Sequence, residues 1–293
     1  MVDTSRDPSD TRRDDLTSRT TFSRDGLVFN VRESGPQEGT PVVLLHGFPE
    51  SSESWRDVMP ALNEAGYRAV APDQRGYSPR ARPAKRSAYV RRELVADVIA
   101  LADQLRLERF HLVGHDWGAA VAWAVAIDHP DRVRTLTSLS IPHPAAFRRA
   151  VFTSPQFLRS WYMGFFQLPR LPETLLTTRN WRDFRRNLLR SGLPASFADV
   201  YVQRMQEPGA LTAAINWYRG MRLGDGRPLQ VRVPTLLIWS TKDAYVDRRG
   251  VQLTQRYVTA PYRLEVLDGV SHWIPEEAPD RVVELMLPHL ASA

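Results

Sequence analysis

Phe110-His111-Leu112-Val113-Gly114-His115-Asp116-Trp117-Gly118-Ala119-Ala120 is the stretch on which the fold turns. Its first four residues form a short, mostly apolar run suited to a buried strand, and a helical apolar run extends from Ala119 to Ile127. Between the two lie glycines at 114 and 118, placed symmetrically about Asp116. A chain that passes from strand to helix in one tight turn needs an unusual backbone conformation at its centre and close approach of helix to strand. Glycines leave room for both. In that reading Asp116 occupies the position of a displayed nucleophile. Taken alone, the same residue reads equally well as the N-cap of the following helix.

Three other segments bear on the choice. Upstream, Pro41-Val42-Val43-Leu44-Leu45 is a second buried-strand pattern, and it runs into His46-Gly47-Phe48-Pro49-Glu50, a loop placed to donate a backbone N–H into the same site. Downstream, Thr235 to Ser240 leads to Lys242-Asp243, and Leu264 to Leu267 leads through Gly269 to His272. The carboxyl ends of parallel strands share one edge of a sheet, so Phe48, Asp116, Asp243 and His272 can converge although they are far apart in the chain. The order nucleophile, acid, histidine is that of the α/β-hydrolase triad. Asp247 competes with Asp243, but it precedes Arg248 and the next helical pattern and reads better as an N-cap.

The remaining patterns fill in an α/β chain. Phe29-Asn30-Val31, Tyr67 to Val70 and Val133 to Ile141 read as further strands, and short apolar strands suit a buried parallel sheet. Leu94, Val98, Leu101 and Leu105 recur on one helical face, and a final helix runs from about Pro279 to Leu290. Residues 1 to about 20 are polar and mixed in charge, which predicts a flexible tail. From 143 to 222 strand signals are scarce, and 13 of the 28 aromatic residues fall there. The expected organisation is a tail, a first core segment at 21–142, a helical insertion at 143–222 and a second core segment at 223–293.

Composition narrows the chemistry. Among 293 residues there is no cysteine, which excludes disulfides, cysteine metal sites and a thiol nucleophile. The net charge of +6 comes from 39 basic and 33 acidic residues, and nearly all the basic ones are arginine. The densest basic stretch, Arg80 to Arg92, reads as a solvated loop and helix start ahead of a nucleic-acid or anionic-surface patch. The longest apolar run, Ala119 to Ile127, is too short to span a bilayer, and the N-terminus lacks an apolar signal core. A cytoplasmic protein is expected.

From about residue 22 to the end the chain resembles an α/β-hydrolase-fold epoxide hydrolase, with Asp where the wider fold more often places Ser. The resemblance rests on HGFPE at 46–50, DQRGYS at 73–78, GHDWG at 114–118, the insertion, the strand-end Lys242-Asp243 and GVSHW at 269–273, in the family's order and spacing. It implies a mostly parallel sheet flanked by helices and covered by a helical cap. It also implies roles. Asp116, ionised at neutral pH, attacks a saturated carbon and forms an ester; His272 takes a proton from water to hydrolyse it; Asp243 orients the imidazole. The backbone N–H groups of Phe48 and Trp117 hold the oxyanion. Trp161 to Gln167 and Ile215 to Arg219 resemble the two cap segments that supply paired tyrosines, which assigns proton donation to Tyr162 and Tyr218. By composition alone, these tyrosines read as core and His272 as an ordinary histidine.

Haloalkane dehalogenases share the Asp and the Trp after it, but commonly pair that Trp with Asn in the first loop, where this chain has Phe48, or with a second Trp. Fluoroacetate dehalogenases place arginines one and four residues after the nucleophile, where this chain has Trp117 and Ala120. A catalytically silent ligand-binding protein on the same scaffold would leave the whole constellation coincidental. The expected partners are a small apolar epoxide and water, with no metal or organic cofactor, no nucleic acid and no membrane; a homodimer is compatible with the sequence.

Overall fold

Alternation within the apolar strand runs sets the layers. The computed structural model describes residues 17–220 and 230–293. Along β3 (Thr40–Leu45), Val42 and Leu44 face one side of a sheet while Val43 and Leu45 face the other, and all four are fully buried. A strand buried on both faces belongs in the middle of a sheet covered by helices.

Among the described residues that sheet has eight strands: β1 (Thr17–Arg24), β2 (Leu27–Ser34), β3, β4 (Tyr67–Pro72), β5 (Phe110–His115), β6 (Val133–Leu139), β7 (Thr235–Ser240) and β8 (Tyr262–Leu267). Their order is β1-β2-β4-β3-β5-β6-β7-β8. The ladders from β4 to β8 are parallel, and β2 runs antiparallel to both its neighbours. One face is covered by α2 (Arg91–Gln104) and α3 (Trp117–Asp128), through Leu94, Val98 and Leu101 and through Val121 and Val125. The other is covered by α1 (Met59–Glu64) and the C-terminal helix Pro279–Leu290, through Leu62, Val282, Met286 and Leu290.

The helices α4 (Pro144–Thr153), α5 (Gln156–Arg159), α6 (Trp161–Phe165), α7 (Leu171–Leu176), α8 (Arg182–Arg190), α9 (Ala195–Gln206) and α10 (Ala210–Gly220) lie between β6 and β7, with no strand among the described residues there. Residues 221 and 222, the end of the expected insertion, fall outside the described residues. This layer is pinned to the core at two motif residues. Arg204 of α9 reaches Asp73 at 2.8 Å, and the Trp217 indole of α10 donates to the Arg75 carbonyl at 2.7 Å. After β7 come α11 (Arg248–Thr254), α12 (Ile274–Glu277) and α13, the Pro279–Leu290 helix.

Two expectations are corrected. The flexible tail was expected to reach about residue 20, and residues 1–16 of it lie outside the described residues. Thr17 to Thr20, however, belong to β1, paired with Val31 to Ser34. Backbone hydrogen bonding to β2 at a sheet edge orders them. Strand β6 stops at Leu139 where Ile141 was expected, because Ser140 turns into the left-handed region at φ 71°.

Candidate active site

The elbow forms where its glycines placed it. Asp116 has φ 48° and ψ −123°, a conformation of high backbone energy for a residue with a Cβ, on the order of 1–3 kcal/mol. It is held there because α3 packs hard against β3 and β5. A Cβ on Gly118 would overlap the Leu45 carbonyl, so that approach requires glycine. Asp116 therefore stands between the end of β5 and the first turn of α3 with no side-chain cap hydrogen bond to the helix, which disfavours the N-cap reading.

The carboxylate faces the loop after β3. Phe48 N–H donates to Asp116 Oδ1 at 2.9 Å, and Gly47 beside it has no room for a Cβ against the Asp116 side chain. The Trp117 N–H lies in the first turn of α3, where no intrahelical acceptor exists. The other oxygen, Oδ2, lies 3.5 Å from His272 Nε2.

His272, buried after β8, puts its Nδ1 2.9 Å from Asp243 Oδ2. The other Asp243 oxygen accepts from the Tyr245 and Val246 N–H groups at 2.8 and 2.9 Å, fixing the carboxylate plane. Ser140, at its left-handed turn after β6, also donates to Asp243 Oδ2. Asp247 instead accepts the Arg249 N–H at 2.9 Å and caps α11.

Burial favours the neutral form of each of these groups, and the partners overcome it. Asp116 is held below the usual carboxylate range by His272 and the Phe48 N–H, and Asp243 by His272 and Ser140. The two carboxylates raise His272 well above an ordinary histidine. Both carboxylates thus favour the protonated imidazole. Tyr162 on α6 and Tyr218 on α10 lie with ring centroids 5.9 Å apart, and Tyr218 packs on Phe48 at 5.5 Å and Trp117 at 5.0 Å. Burial, the neighbouring phenol and the Asp116 charge hold Tyr218 well above the ordinary phenol value, and burial with the Asp116 charge does the same for Tyr162. Both phenols keep their protons.

Comparison with known proteins supplies the family. Residues 40–279 match the model of the alpha/beta hydrolase fold family. The chain is 34% identical to epoxide hydrolase A of Mycobacterium tuberculosis, covering 90% of this chain and 94% of that one. It is 35% identical to epoxide hydrolase 3 of Xenopus tropicalis, over 89% and 74%. It is also 37% identical to the AB hydrolase superfamily protein YfhM of Bacillus subtilis, over 90% and 95%. The chain belongs to the α/β-hydrolase-fold epoxide hydrolases. Among solved structures of that family, epoxide hydrolase A of Mycobacterium thermoresistibile superposes with a TM-score of 0.80 at 27% identity, covering 94% of this chain and 98% of that one. Epoxide hydrolase VrEH1 of Vigna radiata superposes with a TM-score of 0.82 at 27% identity, over 95% and 99%.

Beneath the site of this epoxide hydrolase lies a polar group that the sequence reading did not assign. Glu50 of the HGFPE loop accepts the Gly47 N–H at 2.6 Å and faces His115 Nδ1 at 2.7 Å, while His115 Nε2 faces the His272 carbonyl at 2.8 Å. Both His115 nitrogens thus meet acceptors, and all three side chains are buried. The arrangement ties the Phe48 loop to the His272 loop through one ring. The only sequence signal was that both residues sit inside motifs singled out for their neighbours.

Glu276 on α12 adds a second buried acid. It accepts from the Tyr201 hydroxyl at 2.7 Å, its other oxygen has no partner among the described residues, and burial with the charge of Glu50 pushes it up to about 8. Its ordinary value is 4.5, so below that pH it costs nothing. Stability is lost as pH rises from there through about 8. Glu276→Gln is therefore expected to be more stable than the native protein at pH 9, by a few kcal/mol at about 1.4 per pH unit, with no advantage at pH 4.5. Thermal unfolding at both pH values checks this; an equal difference at each would refute it.

Proposed function

We propose that this hydrolase opens apolar or aromatic epoxides to vicinal diols through an ester on Asp116. The observation that carries the reading is the convergence of Asp116 Oδ2, 3.5 Å from His272 Nε2, with His272 Nδ1 2.9 Å from Asp243 Oδ2 and with Tyr162 and Tyr218 of the helical insertion, whose ring centroids lie 5.9 Å apart.

A carboxylate is a sound nucleophile for a strained saturated carbon and needs no base to activate it. As the Asp116 oxygen bonds to the ring carbon, the C–O bond breaks and its electron pair stays on the epoxide oxygen, which takes a proton from Tyr162 or Tyr218. The tyrosine is reprotonated from His272 through solvent. Esterification removes the Asp116 charge, one of the two that hold the imidazole protonated. His272 is then free to accept a proton from water as that water attacks the ester carbonyl, and the Phe48 and Trp117 N–H groups receive the oxyanion. Collapse releases the diol and restores both the Asp116 carboxylate and the His272 imidazolium. Ring opening consumes one proton and hydrolysis returns it. Aromatic lining by Phe48, Phe166 and Trp117 around Tyr218 favours an apolar substrate body.

His272→Ala should trap the first half of this cycle. Incubated with styrene oxide, it is expected to gain one adduct mass on the Asp116 peptide and to turn over no further. An adduct from a bromoalkane alone would favour haloalkane dehalogenation, and none from either would remove the covalent mechanism.

A further inference from the structure

We propose that the outer face of the helical insertion, from Phe152 to Leu175, docks on the surface of an anionic phospholipid bilayer. Large exposed apolar side chains are normally scattered. Here seven of the eight among the described residues lie in this one stretch: Phe152, Phe157, Leu158, Trp161, Leu168, Leu171 and Leu175. The first four are 66 to 81% exposed. The stretch is two-sided. Tyr162 and Phe166 of the α6 region pack on Tyr218, while the neighbouring Trp161 is 68% exposed.

Charge selects the occupant. Residues 143–220 contain 11 arginines against two aspartates and two glutamates, so the insertion alone exceeds the net +6 of the whole chain. Arg148, Arg149, Arg170, Arg182 and Arg190 are exposed and make no ion pair among the described residues. Arg148 stands one helical turn before Phe152 on α4, and Arg170 lies between Leu168 and Leu171. Exposed aromatic rings and leucines interspersed along the chain with guanidinium groups match the boundary between acyl chains and anionic headgroups, where apolar tips enter and arginines stay at phosphate level. A second copy fits less well, because a two-fold contact would set this basic face against itself.

The basic stretch singled out by composition, Arg80 to Arg92, is a poorer candidate. Arg82 is committed to Glu207 and Arg91 to Asp128. No helix of the described residues is long and apolar enough to cross a membrane, so the contact proposed is a shallow, peripheral one, and it stands apart from the reaction proposed above.

The test is sedimentation of the full-length protein with vesicles of equal parts phosphatidylglycerol and phosphatidylcholine, and with phosphatidylcholine alone. At low salt, partition onto the anionic vesicles is expected to be at least about tenfold stronger and to weaken in high salt as charges are screened. Phe157→Ser with Leu158→Ser should lower partition onto the anionic vesicles at least about tenfold. Arg148→Gln, Arg149→Gln and Arg170→Gln together should lower it on the order of 100-fold, about fivefold per guanidinium. Native-like unfolding temperatures for both variants establish that they fold. Equal partition on the two vesicles, no partition on either, or wild-type binding retained by both variants would overturn the proposal. So would a lipid-free dimer in sedimentation velocity that Phe157→Ser with Leu158→Ser abolishes, since the face would then belong to a second copy.

Discussion

Replacement of Tyr162 and Tyr218 together by Phe is expected to lower kcat for styrene oxide by about 10³-fold, within the range for loss of a positioned general acid. The phenols differ in surroundings but share the relevant property. Burial and the Asp116 charge keep both neutral, so each holds a proton at neutral pH, and their rings are 5.9 Å apart. In the proposed mechanism either hydroxyl serves the epoxide oxygen, so each single variant should lose only about tenfold. The rings themselves remain in the double variant, preserving the contacts of Tyr218 with Phe48, Phe166 and Trp117. Alkylation of Asp116 by a bromoalkane is the control. A departing halide needs no proton, so any such reaction should be unchanged by the double substitution. Styrene oxide turnover within twofold of the native rate would dismiss the tyrosines from the mechanism.

The parts of this site legible in the sequence are those fixed by local backbone demands. Gly114 and Gly118 about Asp116 announce a strand-to-helix turn because the close packing they permit is intolerant of any other residue. The strands β3, β5 and β7 are short apolar runs because they are buried on both faces. The start of strand β1 escaped notice because its sequence, TSRTTFSR, is polar apart from Phe22, which stacks on Phe29, and backbone pairing with β2 leaves no composition signal. The Glu50–His115 pair and Glu276 were illegible for a different reason. A glutamate in the first turn of a short helix ordinarily reads as exposed and favoured by the helix dipole. Glu276 is buried because α9 lays Tyr201 over it, a contact between residues 75 positions apart. Ser140 likewise gains meaning only when β6 and β7 pair and bring it to Asp243.

Asp243→Asn is expected to slow turnover by about 10⁴-fold while Asp116 still becomes esterified, so that the ester accumulates to one equivalent. The effect follows from the donor and acceptor balance at one ring nitrogen. Asp243 Oδ2 lies 2.9 Å from His272 Nδ1; in the proposed cycle it holds the proton there and leaves Nε2 to accept one from water. The Oδ1 position of asparagine can still accept from the Tyr245 and Val246 N–H groups, which orients its NH₂ toward Nδ1. Two donors cannot face each other, so the neutral imidazole moves its proton to Nε2, the atom nearest Asp116, and loses its basic lone pair on that side. In the proposed cycle ring opening needs only the carboxylate and a phenol, so it survives; ester hydrolysis needs the lone pair, so it stalls. Asp247→Asn supplies the contrast. Its carboxylate serves the Arg249 N–H at the start of α11, a role asparagine fills about as well, and kcat should stay within about twofold. Rapid-quench mass analysis of the Asp116 peptide after mixing with styrene oxide distinguishes the cases. Accumulated ester in Asp243→Asn but not in Asp247→Asn is the expected result, and the reverse would move the acid of the site to Asp247.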